Sequence, residues 1–131
     1  MDSWSNRHLD LHYSRYDCWQ LCVRVYDREL GIELPSFRGQ YPSKAEREVW
    51  SRMISEQSSS SDWVEISSLK EAKAFDLLLF WVVDPLLPTH LGIWVDRIHM
   101  LTTTRSTGSR HEAIGKWQRK LVGIYRHVEK S

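Results

Sequence analysis

The feature that most constrains the fold is a change of period partway along the chain. Between Asp17 and Gly31, residues Leu21, Cys22, Val25 and Leu30 recur at helical spacing, with Arg24, Asp27 and Arg28 on the other side. Asp17 is a good N-cap and Gly31 a good C′ residue, so this helix is punctuated at both ends. From Trp63 onward the pattern is that of strands. Trp63 to Ile66 alternates, Ser67 to Ala74 reads as a helical turn or loop, and Leu77 to Val83 reads as a buried strand ended by Asp84-Pro85. Leu91 to Val95 pairs with Ile98 to Thr102 across a tight turn at Asp96-Arg97, Thr103 to Gly108 is loop, and Lys120 to Arg126 is the last strand. A helix followed by an antiparallel meander predicts an α+β architecture with helices on one face of a sheet.

The intervening stretch carries a second helix. Ser43 and Glu46 form a capping box for Lys44 to about Gln57, whose thin apolar side (Val49, Trp50, Met53, Ile54) puts it on the surface. Ser58 to Ser61 is a flexible tether and not a domain linker, because neither flank is large enough to fold alone. Residues 44–61 are therefore a surface helix and Ser-rich loop inserted into one domain spanning 1–131. With 18 basic against 17 acidic residues, nothing favours nucleic acid or an anionic membrane. Leu77 to Val83 is the longest apolar run, far too short to span a bilayer, so no membrane insertion is expected. The first residues lack an apolar stretch behind a basic start, which predicts synthesis without a signal peptide.

Chemistry concentrates at one cysteine. Cys18 stands at the first turn of the helix, where unpaired amides and the helix dipole stabilise a thiolate and can draw a thiol pKa down from about 8.5. The same amides suit the oxyanion of a tetrahedral intermediate. Of six histidines, only His90 opens a core strand, which is where a general base facing a helix N-terminus belongs. Cys22 shares a face with Leu21 and Val25 and reads as core. His8 and His12 make at most half a metal site in a solvated N-terminal segment, so no metal is expected. The basic residues Arg105, Arg110, Arg119, Lys120 and Arg126 read as a solvated face. Seven tryptophans spread along the chain point to core and interface packing, with Trp19 and Trp94 as candidates to line a groove.

Asp17-Cys18-Trp19-Gln20-Leu21, then Val25-Tyr26, then Leu30 to Pro35 resembles the nucleophile helix of the NlpC/P60 cysteine peptidases, most closely the phage tail-associated branch. Asp76 to Phe80 resembles that family's Gly-Asp-led strand, Thr89 to Trp94 its histidine strand, and Trp117 with Leu121 to His127 its closing strand. The resemblance implies a papain-like α+β fold, the N-terminal nucleophile helix packed on an antiparallel sheet. It implies Cys18 as nucleophile, His90 as base and, at the position where the family usually has histidine, Thr102 as the third member. Asp17, Trp19 and Tyr16 would contact substrate, with no metal or cofactor. The implied substrate is the peptide stem of peptidoglycan. The implied partners are other tail-tip proteins, with synthesis in a host cytoplasm and action at the cell wall or periplasm from a virion tail. A structural or plug module with an idle Cys–His pair is the alternative. Phe75 stands where the family has glycine, the Gly-Gly lead-in is missing, and Tyr13 or Tyr16 stands in for the family tyrosine. His99, three residues before Thr102, falls on the opposite side of its strand by alternation.

Overall fold

The computed structural model describes residues 3–37, 54–84, 86 and 88–130. A four-residue helix, α1 (Ser3–Asn6), precedes α2 (Cys18–Val25). Asp17 caps α2 by accepting from the Gln20 amide at 2.9 Å. The expected helix continues past Val25, but Tyr26–Leu30 widens to π-helical spacing before ending at Gly31, whose φ of 66° fits the predicted C′ position. Residues 54–58 are helical, and Ile54 is buried. The rest of the expected 44–57 helix, with its capping box, lies outside the described residues.

Among the described residues six strands follow: β1 (Trp63–Glu65), β2 (Leu77–Phe80), β3 (His90–Trp94), β4 (His99–Thr104), β5 (Gly108–Ala113) and β6 (Leu121–His127). They form one antiparallel sheet in the order β1-β6-β2-β3-β4-β5. The expected α+β class holds. Strand β2 is shorter than its apolar run, because its pairing with β6 shifts register between Leu79 and Phe80 and leaves Val82 and Val83 exposed. The segment read as loop to Gly108 ends sooner: β4 runs to Thr104, and a sixth strand, β5, begins at Gly108.

The sheet has two apolar faces. On one, Leu77, Leu79, Leu91, Ile93 and Leu101 pack against Trp19, Leu21, Cys22 and Val25 of α2. On the other, Leu78, Phe80, Met100 and Ile124 pack with Ile114, and Trp117 closes over them. Each fully buried aliphatic side chain contributes about 1.5–3 kcal/mol, so α2 is held by its stripe more than by its short backbone ladder.

Two corrections concern polar residues. The N-terminal segment is docked, not solvated. Ser109 Oγ donates to the His8 carbonyl at 2.6 Å and accepts from the Leu11 amide at 2.8 Å, and Trp4, Ser5 and His8 are buried. His8 is held by Glu29 at 2.7 Å and accepts from Arg24 Nε at 3.1 Å, which ties the segment to α2 and leaves no nitrogen of that ring for a metal. The basic residues are likewise not all solvated. Arg126 makes a two-point pair with the fully buried Asp76, at 2.9 and 2.7 Å. That pair staples β6 to the residue preceding β2. Beside it, Phe75 has φ 76°, the left-handed region that glycine enters freely and phenylalanine at a cost of about 1–2 kcal/mol. A tilted ring contact with Trp4, 4.3 Å between centroids, and the Tyr26 hydroxyl donating to its carbonyl hold it there.

Candidate active site

Cys18 is the first residue of α2 and is only 3% exposed. Its sulfur lies 3.7 Å from the carbonyl oxygen of Thr89, the residue before His90. Burial pushes the thiol up to about 12, and the Asp17 carboxylate adds to this, while the amides of Leu91, Trp19 and Cys18 itself pull the other way. The expected thiolate-stabilising amides are therefore present, but desolvation outweighs them. The expectation of a lowered thiol pKa is corrected accordingly.

His90 opens β3 and directs its ring to the second apolar face, where Phe80 and Trp117 lie; Leu91 and Ile93 alternate toward α2. The thiol thus meets the backbone beside His90, and its own hydrogen bond goes to the Thr89 carbonyl, not to the imidazole. Thr102, opposite Gly92 on β4, lies 2.9 Å from His90 Nε2 and 2.8 Å from the Leu91 carbonyl. The proton count assigns the tautomer. A threonine hydroxyl has one proton, and a carbonyl can only accept, so the Thr102 proton goes to Leu91. Nε2 must then be the donor to Thr102, which leaves Nδ1 as the ring's acceptor. Burial lowers the His90 pKa to about 4, against a raising influence from Glu112. At neutral pH the pair rests as thiol and neutral imidazole.

The remaining expected site residues fall in different places. Asp17 is the buried cap of α2. Trp19 is 3% exposed and donates to the Pro35 carbonyl at 2.8 Å, so it braces the following segment. Tyr16 turns to the outer side of α2, where its hydroxyl accepts from Arg24 at 3.1 Å. There it borders a cavity of about 430 Å³ shared with Gln20, Arg24, Arg28 and Glu33. Of the two tyrosines expected as stand-ins, Tyr13 is the one coupled to Cys18: its pKa rises to about 12 through burial, then through the charges of Cys18 and Asp17. His99 faces away from Thr102, toward Asp96 at 3.1 Å and His111. Cys22 is fully buried, and burial raises its pKa well above the ordinary value.

Two residues around His90 were missed. Trp117 lies nearly parallel to the imidazole, 4.5 Å between centroids and 12° between planes. Its indole N–H donates to Glu112 at 2.8 Å, and Arg110 pairs with the same carboxylate at 2.8 Å. Glu112 sits on β5, the strand that apolar periodicity does not show. Its alternation with Arg110 was the only available signal.

Comparison with known proteins gives one family. The profile described as NlpC/P60 family matches residues 4–126. A solved structure from Staphylococcus aureus subsp. aureus Mu50, described as similar to lipoprotein of the NLP/P60 family, superposes with a TM-score of 0.63 at 20% identity. The match covers 95% of this chain and 39% of that one, so the chain spans about two-fifths of that protein's length. The NlpC/p60 domain of the peptidoglycan hydrolase SagA superposes at 0.60 with 16% identity, covering 95% of this chain and 93% of the domain. No curated protein matches.

Proposed function

Because the chain belongs to the NlpC/P60 family, we propose that it is a cysteine endopeptidase acting on the peptide stems of peptidoglycan, with Cys18 as nucleophile, His90 as base and Thr102 orienting the base. The observation that carries this reading is the pair of contacts made by the Thr102 hydroxyl, to His90 Nε2 at 2.9 Å and to the Leu91 carbonyl at 2.8 Å, from which the tautomer of His90 follows. Thr102 takes Nε2–H, and the nitrogen left to accept a proton is on the residue whose preceding carbonyl touches Cys18 Sγ. A base must present a lone pair before it can act, and this ring presents one.

In the proposed reaction Nδ1 takes the thiol proton and the sulfur adds to the scissile carbonyl carbon. The amides of Cys18 and Trp19, which already reach the sulfur, are the donors available to the developing oxyanion. Collapse breaks the C–N bond, the imidazolium protonates the leaving amine, and a thioester remains on Cys18. Water, deprotonated by the same nitrogen, then releases the acid and restores the thiol. The resting pKa values oppose the first step and the thiol bonds the Thr89 carbonyl instead of the imidazole, so turnover requires a state in which substrate or water relieves the burial of Cys18 and His90 and Sγ meets Nδ1. The electrostatic coupling of Tyr13 to Cys18 supports it as a substrate contact, whereas the cavity at Tyr16 is lined by residues of the outer side of α2.

The finer proposal is that the domain serves a phage or phage-like tail tip, made in the host cytoplasm and carried with other tail proteins to the wall. It is supported by the resemblance of residues 17–35 and 117–127 to that branch. A second reading, an idle structural module of the same tip, is favoured by the burial of both Cys18 and His90. Mass spectrometry of soluble products after incubation with purified peptidoglycan separates the two. New stem-peptide fragments that disappear with Cys18→Ala support the peptidase; none from the folded wild type supports the structural module.

A further inference from the structure

The imidazole of His90 is a flat ring that could rotate, exchange tautomers or tip off its hydroxyl partner, and one Thr102 contact does not prevent all three. The second apolar face supplies a further restraint. Trp117 lies on the ring at 4.5 Å and 12°, close to the offset stacking that aromatic pairs favour. An indole in that position shields the Nε2–Thr102 bond from water and blocks the ring from tipping. Trp117 is itself set between two short helical turns, Ile114–Lys116 and Gln118–Lys120, whose backbones do not determine where its indole points. What determines it is the indole N–H, which donates to Glu112 Oε1 at 2.8 Å. The other carboxylate oxygen is engaged by Arg110, through Nε at 2.9 Å and Nη2 at 2.8 Å. Both oxygens are thus occupied and the carboxylate is 9% exposed, so the anchor is rigid.

We propose that Glu112 is a positioning residue for His90: by holding the Trp117 indole flat on the imidazole, it keeps Nε2 on Thr102 and Nδ1 as the proton acceptor. The proposal rests on the reading of His90 as the base. A second effect has the same sign. The groups facing the ring are Thr102 from β4, Phe80 from β2, Trp117 and, from β5, Glu112; of the described charged residues Glu112 is the one whose field favours the imidazolium, and that field acts against burial. The third residue of the site, where the resemblance implies histidine, is here Thr102, which can orient an imidazole but cannot favour its charged form. The carboxylate on the neighbouring strand supplies that part by its field, and orients the ring through the tryptophan it anchors.

The test is the ring itself, observed without turnover. Long-range 1H–15N spectra of 15N-labelled protein report the tautomer of each histidine, with His90 assigned by the signals lost in His90→Gln. The wild type is expected to show one His90 species, protonated at Nε2. Trp117→Phe keeps the stacked ring and removes the N–H, and Glu112→Ala removes the acceptor; both are expected to lose the single tautomer. Glu112→Gln keeps an acceptor for the indole and is expected to keep the tautomer while the imidazole titrates at lower pH than in the wild type. The proposal is overturned if Trp117→Phe or Glu112→Ala, folded by near-UV circular dichroism, retains the wild-type His90 species. Because the spectra need no substrate, a ring that responds in a protein releasing no cell-wall fragments refutes the peptidase reading and leaves the positioning role standing. Fragment release with an unresponsive ring does the reverse.

Discussion

Thr102→Val is the perturbation whose cost can be worked most completely from the structure. The substitution keeps the branched shape and removes one hydroxyl that is 1% exposed. That hydroxyl serves two groups, His90 Nε2–H at 2.9 Å and the Leu91 carbonyl at 2.8 Å. Valine can serve neither, and both residues are buried. A buried polar group left without its partner costs about 1–3 kcal/mol, so two predict a loss of about 2–6 kcal/mol, toward the lower end if the ring relaxes. Urea unfolding should show this as a lower midpoint at unchanged slope. Without the acceptor the imidazole is no longer committed to Nε2–H, so Nδ1 carries the proton in part of the population. Hydrolysis by the variant should then fall on the order of 10²-fold, as for other misplacements of a reacting group. A stability loss under about 0.5 kcal/mol, the level of an ordinary surface substitution, would refute the proton count behind the assigned tautomer.

Other outcomes follow from the same structure. His90 has a folded pKa of about 4 against 6.5 when unfolded, so the unfolded chain binds more protons between those values; stability should fall on acidification through that window by up to about 3 kcal/mol, less in His90→Gln, with His8 and His111 adding in the same direction. A pH series of urea midpoints that stays flat from 6.5 to 4 contradicts this. Asp76→Ala leaves the Arg126 guanidinium facing a buried gap and should cost about 3–5 kcal/mol by urea unfolding; a change below about 1 kcal/mol would show that the pair is not a staple. Gly108→Ala places a Cβ 2.7 Å from the Leu11 carbonyl at a φ of 67° and should release the N-terminal segment. Faster amide exchange at Asp10 and Leu11 would register that release, and unchanged protection would count against the docked arrangement.

What could be read from the sequence was what local chemistry determines. The helix from Asp17 to Gly31 was legible because its cap, its apolar stripe and its terminal glycine all act within a few residues, and the structure alters only the spacing of its last turn. Strands β3 and β6 were legible from their apolar content. Strand β5 was not, because the inward positions of Gly108–Ala113 include Ser109 and Glu112, buried polar residues that hydrophobic periodicity reads as loop. The docked N-terminal segment was hidden for the same reason, since Ser109 and Glu29 hold it and neither reveals a partner in the sequence. Strand β2 was overread because an apolar run marks burial, whereas its end depends on the register shift with β6.

The candidate site divided along the same line. Cys18 could be placed from the helix start and His90 from its strand, while the assignment of Thr102 came from family resemblance and its contact with the ring from the strand register. Trp117 and Glu112 reach His90 only through tertiary packing. Desolvation of the thiol is tertiary too: a helix N-terminus is visible in sequence, but the depth at which it is buried is not, and depth decides the sign of the shift here.

The central claim is that Cys18 Sγ becomes covalently attached to a stem-peptide carbonyl. Its most direct measurement is intact-protein mass spectrometry of samples acid-quenched within the first turnover on purified disaccharide-peptide fragments. The account predicts an acyl adduct that maps to Cys18, accumulates before the free acid product, and is missing from Cys18→Ala. Product released at the wild-type rate by Cys18→Ala, or an adduct on any residue other than Cys18, would contradict it.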